Sequence, residues 1–229
     1  MRDLRRRLRA RGDRGMTLVE LLVSMIIFSV AIALVYSAVI LTLRWSQETQ
    51  QSADAVTELR QALAQIDRQV RSGNVLFSPE DEDLVVATCL DGGAGSDAGT
   101  CMRIFTQSNG DEKCVQWRII PDMTAGGGTV HRLESRSWEL DWTTGGSVSG
   151  WSVIARDIHF DAAASPATPM PFTLDTPGTY RERTLRVHLE VMDARQDRPV
   201  EINSSLTGRN TTYGYDSGQC ATPPVDLVQ

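Results

Sequence analysis

A single carboxylate, Glu20, lies near the start of the longest apolar stretch of the chain, which runs from Met16 to Leu43. A charge inside a bilayer costs about 2.5–3.5 kcal/mol at the centre and less near the interface. A carboxylate retained against that cost is expected to have a positively charged partner, because a buried pair is tolerated where either charge alone is not. The chemistry that this residue predicts is therefore ion pairing within an apolar environment.

The charges on either side of this stretch differ in sign. Residues 1–15 carry seven Arg and two Asp, a net charge of +5, which leaves 16 basic and 27 acidic residues in the rest of the chain, a net charge of −11. A basic segment before an apolar one favours a cytoplasmic N-terminus and an exported body. An acidic body argues against direct binding of nucleic acid, since phosphate would be repelled.

The apolar stretch predicts one long helix that positions Glu20. Met16–Leu43 would span about 42 Å as a helix, which exceeds the roughly 30 Å of a bilayer core. Apolar residues then recur at helical spacing, so the same helix is expected to continue with one apolar face and to end at Arg71, before Ser72-Gly73-Asn74. The residues of this apolar face are Val56, Leu59, Leu63, Ile66 and Val70.

The remainder of the chain predicts strands and turns. Short runs rich in β-branched and aromatic residues are expected to be strands, and Asn109-Gly110 predicts a tight hairpin. We therefore predict an α+β fold in which a mostly antiparallel sheet packs on residues 56–70. The predicted segments are 1–15 (basic leader), 16–43 (membrane helix), 44–73 (amphipathic continuation) and 74–229 (extracellular β-rich domain). The predicted strands are Asp83–Leu90, Cys101–Gln107, Lys113–Ile120, Thr129–Ser135, Trp151–Phe160, Thr184–Met192 and Pro199–Leu206.

Four cysteines, an even number, all follow the apolar stretch. Cysteines beyond a membrane anchor favour disulfide bonds in an oxidising compartment, and their spacing lacks the paired C-x-x-C of a zinc site. Three connectivities are possible, and the sequence does not distinguish them; free buried thiols are the alternative. The candidate disulfide residues are Cys89, Cys101, Cys114 and Cys220.

The string from Gly15 to Leu21, G-MTLVEL, resembles the start of type IV prepilins, in which a short basic leader ends in Gly before a segment of the form FTLIEL. Met16 stands where Phe is commonest in that family. The resemblance implies that a prepilin peptidase cuts between Gly15 and Met16 and methylates the new amino terminus. It also implies that Glu20, at the fifth position, faces the positive amino terminus of a neighbouring subunit. Gly15 suits such a cleavage site because it carries no side chain.

Two later segments, RQALAQIDRQVRSGNVL and PVEINSSLTGRN, are similar to W-type minor pilins and to J-type pseudopilins of type II secretion. The apolar stretch also lacks the midway Pro of many major pilins, which favours a minor subunit. The resemblance implies three kinds of protein partner: a prepilin peptidase, other pilin or pseudopilin subunits and an inner-membrane assembly platform. It implies a single-pass membrane protein that enters an extracellular filament. Pilus, secretion and DNA-uptake systems remain open.

No enzymatic constellation stands out. His131, His159 and His188 are far apart in the sequence, and no motif indicates a metal or cofactor. We therefore expect neither catalysis nor a metal site. Four other interpretations stay open: a monomeric membrane-anchored binding protein, an ectoenzyme whose catalytic residues would cluster in a deep pocket, a signal anchor with Gly15 and Glu20 placed by chance, and a secretory signal peptide cut near Ala31-Ile32-Ala33.

Overall fold

The computed structural model describes residues 16–93, 95–107, 110–123, 130–163, 168–175, 184–193, 198–208 and 218–224, without the side chains of 51–52, 192–193 and 198–199. The chain divides into two compact units, Met1–Glu48 and Thr49–Gln229. The second, which we call the head unit, contains all the strands of the described residues.

A 54-residue helix, α1 (Leu18–Arg71), is the longest element. Within the head unit, one of its faces is buried against the sheet, as predicted. Two positions of this face differ from the prediction. Ala55 and Ala62 are buried there, whereas the predicted Val56 and Leu63 are only partly buried. Small residues on a buried face let the helix backbone approach the sheet closely. The buried face consists of Ala55, Leu59, Ala62, Ile66 and Val70.

The described residues form nine strands, and every pairing between them is antiparallel. The strands are β1 (Gly73–Leu76), β2 (Ala98–Gly99), β3 (Cys101–Thr106), β4 (Lys113–Pro121), β5 (Val130–Glu139), β6 (Ser152–His159), β7 (Phe172–Leu174), β8 (Thr184–Asp193) and β9 (Arg198–Thr207).

The strand order is β1-β3-β4-β5-β6-β8-β7-β2, and β9 pairs with β8. In this order β3 lies near one end of the sheet and β2 lies at the other end. Only Thr100 separates β2 from β3 in the sequence, so the two ends of the sheet must lie close together. The sheet is therefore curled. Apolar side chains from its concave face meet the buried face of α1 in one core that includes Met102, Ile104 and Trp117. This architecture confirms the predicted α+β fold.

The exit from α1 requires a glycine. A Cβ on Gly73 would lie 2.9 Å from the Val70 carbonyl oxygen, closer than side chains tolerate. The Ser72 hydroxyl lies 2.7 Å from the Thr106 hydroxyl on β3, and it also donates to the Gln69 carbonyl oxygen at 3.0 Å. These contacts fix the end of the helix on the edge of the sheet.

Six of the seven predicted strands are present, with ends within four residues of the prediction. The seventh prediction, a strand over Asp83–Leu90, is wrong. Those residues follow a short 3-10 helix (Pro79–Glu82) and form turns, because the Val85 and Val86 amides both donate to the Glu82 carbonyl oxygen. Strands β1, β2 and β7 were not predicted. At the predicted hairpin, Gly110 has φ +85°, and Asn109 lies outside the described residues.

The four cysteines form two disulfide bonds, Cys89–Cys101 and Cys114–Cys220. Cys101 and Cys114 lie on β3 and β4, and their partners lie in two segments without regular strands. We call the segment that contains Cys89 the front cover (79–91) and the one that contains Cys220 the rear cover (218–224). Both covers therefore lie against the convex face of the sheet, opposite α1.

The convex face carries buried charges under these two covers. Arg103, Gln116 and Arg136 stand side by side across β3, β4 and β5. Glu82 of the front cover is fully buried, lies 3.1 Å from the Arg103 guanidinium, and accepts a hydrogen bond from Gln116 at 2.6 Å. In the rear cover, the Ala221 carbonyl accepts a hydrogen bond from Arg103, and the Pro224 carbonyl accepts one from Arg136, both at 3.0 Å. The covers thus supply a counter-charge and hydrogen-bond acceptors to these buried groups.

Burial raises the pKa of Glu82 above the ordinary carboxyl value, although Arg103, Gln116 and Arg136 oppose this shift. The folded protein therefore binds this proton more readily than the unfolded chain. The difference in free energy of unfolding between wild type and Glu82→Gln is therefore expected to fall as pH rises above 4.5, the ordinary pKa of a Glu carboxyl group. Urea titrations of the detergent-solubilised full chain at several pH values measure this difference. A difference that grows with pH would mean that attraction to Arg103 outweighs burial.

Leu59 is completely buried in the helix–sheet core, so Leu59→Ala is expected to lower the free energy of unfolding by about 2–5 kcal/mol. Leu63→Ala is the matched control, because Leu63 lies on the same helix and is only partly buried. Its effect should be smaller. Urea unfolding of both variants measures the difference. Equal losses would contradict the observed position of the helix on the sheet.

Candidate assembly site

Thr17 and Glu20 organise the start of α1. The Thr17 hydroxyl accepts a hydrogen bond from the Glu20 amide at 3.3 Å, and its carbonyl accepts one from Leu21 at 3.1 Å. Thr17 is thus the N-cap of the helix, and Thr17-x-x-Glu20 has the spacing of a capping box. Sequence reasoning missed Thr17, although this spacing could have identified it. Glu20 lies in the first turn, where the helix dipole favours a carboxylate.

The apolar stretch around Glu20 is exposed on all sides. Every side chain from Met16 to Leu43 is exposed, and the large apolar ones range from 40% at Ile32 to 81% at Leu18. No residue in the described part of the chain forms an ion pair with Glu20. A surface this apolar requires a bilayer or other apolar helices around it. Glu20 is the one charged group in this stretch.

Four hydroxyls in the same stretch bond to their own helix. Ser24, Ser29 and Ser37 each donate to the carbonyl three residues earlier at 2.8 Å, and Thr42 donates to Ala38 at 2.8 Å. Hydroxyls satisfied within the helix can lie in an apolar environment without an external partner. The one charged group of this stretch, the Glu20 carboxylate, has no such partner among the described residues of its own helix.

Among the described residues, α1 is long and apolar enough to cross a membrane, by length and composition. Of the predicted processing residues, Met16 precedes the first turn of α1 and is 65% exposed, and Gly15 lies outside the described residues. The four predicted disulfide residues all lie in the head unit, where they hold the two covers rather than contribute to the site at Glu20.

Residues 10–36 match the family model described as the prokaryotic N-terminal methylation motif. No match was found among curated proteins or among solved structures. The matched residues include the end of the basic leader, the Gly15–Met16 bond, Glu20 and about three quarters of the apolar stretch. The motif implies processing by a prepilin peptidase and assembly as a pilin-type subunit, a structural rather than an enzymatic role. Together with the apolar helix, it supports a type IV pilin-like protein anchored in a membrane.

Proposed function

We propose that the chain is a minor pilin or a pseudopilin, a structural subunit of a type IV pilus or of a type II secretion-like filament. The observation that carries this proposal is Glu20, the one carboxylate in the apolar stretch Met16–Leu43, whose side chains are all exposed. Its position five residues after Gly15, within the matched motif, adds support. A carboxylate at this place is suited to pair with the terminal amine of a neighbouring subunit.

In this proposal, each segment has one task. A prepilin peptidase removes the leader (1–15) and methylates the amine of Met16. The helix over 16–43 first anchors the subunit in the membrane, and an inner-membrane assembly platform then moves it into the core of the filament. Residues 44–73 join it to the extracellular domain (74–229). Apolar contacts supply most of the cohesion, and the pair at Glu20 fixes the axial position of each subunit.

Mass spectrometry of the protein from sheared filaments and from membranes of the producing cell tests this function. The expected N-terminal peptide begins at Met16 and carries one extra methyl group. An intact Met1 in all fractions would support a monomeric membrane-anchored binding protein instead. A cut near Ala31-Ile32-Ala33 would support a secretory signal peptide.

Glu20→Gln is expected to be inserted and processed normally but to enter filaments poorly. An unpaired amine in an apolar helix bundle costs about 3–5 kcal/mol, so the filament share should fall by at least tenfold. The measurement is the ratio of variant in the sheared fraction to variant in the membrane. A wild-type ratio would contradict the proposed pair.

Thr17→Ala is the matched control for this test. It removes the N-cap of the same helix turn, at about 0.5–2 kcal/mol of helix stability, but keeps the carboxylate. Incorporation should therefore stay near the wild-type level. If Thr17→Ala and Glu20→Gln impair incorporation equally, the role of Glu20 is local capping of α1 rather than contact with a neighbour.

A further inference from the structure

The front cover (79–91) exposes apolar side chains where a surface loop is normally polar. Leu84 is 80% exposed, Leu90 is 51% exposed and Val85 is 40% exposed. They are three of the six large apolar side chains that are exposed in the described part of the head unit, and they fall within seven residues. Exposed apolar groups clustered in this way mark interaction surfaces.

The backbone that carries these side chains is fixed. Val86 and Cys89 are buried, and the Cys89 amide donates to the Val86 carbonyl oxygen in a turn that lies between Val85 and Leu90. Leu90 and Thr100 exchange two hydrogen bonds, from the Leu90 amide to the Thr100 hydroxyl at 2.8 Å and from the Thr100 amide to the Leu90 carbonyl at 2.9 Å. The disulfide to Cys101 ties this turn to β3.

A further close contact keeps this cover in place. A Cβ on Gly99 of β2 would lie 2.6 Å from the Pro79 carbonyl oxygen and 2.9 Å from that of Leu90, so the chain passes here only with glycine. The apolar side chains are thus exposed on a rigid support. A rigid surface loses little conformational entropy on binding, which favours its use as a docking site.

The segment that carries these side chains is acidic, although the Arg118 guanidinium reaches it and donates to the Thr88 hydroxyl at 3.4 Å. Residues 77–97 contain six acidic and no basic side chains. Glu82 is buried against Arg103, whereas Asp81, Asp83 and Asp91 are exposed beside the apolar groups. A second copy of the chain that docked through the same surface would bring another acidic surface, and anionic lipid headgroups would be repelled in the same way. A basic protein surface would be attracted.

We propose that Leu84, Val85 and Leu90 form a docking site for a different protein, one that presents an apolar recess bordered by Lys or Arg. The apolar side chains enter the recess, and Asp81, Asp83 and Asp91 pair with its basic border. This site lies in the head unit and does not depend on the filament role of Glu20. It gives the front cover a function besides shielding Arg103.

Site-specific photo-crosslinking in the producing cell tests this proposal with the full chain. A benzophenone side chain placed at residue 84 or 90 is expected to give one discrete protein adduct. The same group at Met123, which is 86% exposed but lies outside the front cover, should not give it. Adduct yield in isolated membranes should fall at least fivefold as salt rises from about 0.05 to about 0.5 M, because exposed charges are screened.

Charge reversal provides the decisive step. Asp81→Lys with Asp83→Lys should lower the adduct yield at least tenfold, whereas Met123→Asp should leave it unchanged. Both variants must keep the Cys89–Cys101 bond, which mass spectrometry without reduction checks. Sequencing the crosslinked peptide identifies the basic residue of the partner, and changing that residue to Glu should restore the adduct with the Lys variant.

Four results would overturn the proposal. They are an adduct with a second copy of the chain, an adduct with lipid, the same adduct at equal yield from residue 123, and the absence of an adduct from both residue 84 and residue 90. An adduct that survives charge reversal would also exclude the basic border. Loss of filament incorporation in Glu20→Gln does not affect this outcome, because crosslinking can be scored in the membrane fraction.

Discussion

Gly15→Leu is expected to leave the leader attached, so that almost none of the protein begins at Met16. The reason is local: glycine leaves the backbone before the scissile bond without a side chain, and leucine would place a branched one next to the peptidase. The measurement is the intact mass of the membrane-bound protein, which should retain residues 1–15. Since the proposed assembly uses the freed amine, the variant should also be absent from sheared filaments.

Arg11→Gln is a suitable control for Gly15→Leu, because it changes the same leader without touching the cleaved bond. It should be processed at close to the wild-type level. If Gly15→Leu is processed as efficiently as this control, then the match of residues 10–36 to the methylation motif does not describe how the chain is matured. The anchored, uncleaved interpretation would then be preferred.

Arg103→Met is expected to lower the free energy of unfolding by about 3–5 kcal/mol, because it leaves the buried carboxylate of Glu82 without its main counter-charge. Arg103 is only 4% exposed, and its guanidinium also lies 4.4 Å from the centre of the Phe77 ring. The variant therefore loses an ion pair, a ring contact and the hydrogen bond to Ala221 together. Urea unfolding followed by tryptophan fluorescence measures the loss.

Two further variants show whether the uncompensated charge is the cause. Arg186→Met removes an ion pair with Asp175 at 2.6 Å in which both side chains are substantially exposed, and it should change stability little. Combining Glu82→Leu with Arg103→Met removes both buried charges and should recover most of the loss. A double variant as unstable as Arg103→Met would show that the ring and rear-cover contacts dominate.

The sequence was sufficient for the helix and for most of the strands because their signals are local. The 3-4-3-4 spacing of apolar residues placed one face of α1 on the sheet, and alternation in Thr184–Met192 predicted β8 nearly to the residue. The site at Glu20 was also predictable, since a charge in an apolar stretch is visible in the sequence by itself. Thr17 was missed because its role depends on where the helix begins.

Other features depend on contacts between distant residues, which no local pattern encodes. The run DLVVATCL has strand-like composition, yet it forms turns. It is held there by the Cys89–Cys101 disulfide, by the buried side chain of Val86 and by the 3-10 helix that precedes it. Arg103 and Gln116 have the polarity of surface positions on a strand. They are buried because the two covers fold over them, and the partner cysteine of one cover is 106 residues away in the sequence.

The two disulfides differ in the order in which they can form. Cys89 and Cys101 are 12 residues apart, so this bond can close as soon as β3 reaches an oxidising compartment. Cys114 must wait for Cys220, and until then Arg136 lacks the carbonyl of Pro224. If the head unit crosses the membrane starting from the end next to α1, its two disulfides would form one after the other. Between the two steps, an oxidoreductase or chaperone of that compartment could bind a domain in which Cys114 is still a free thiol.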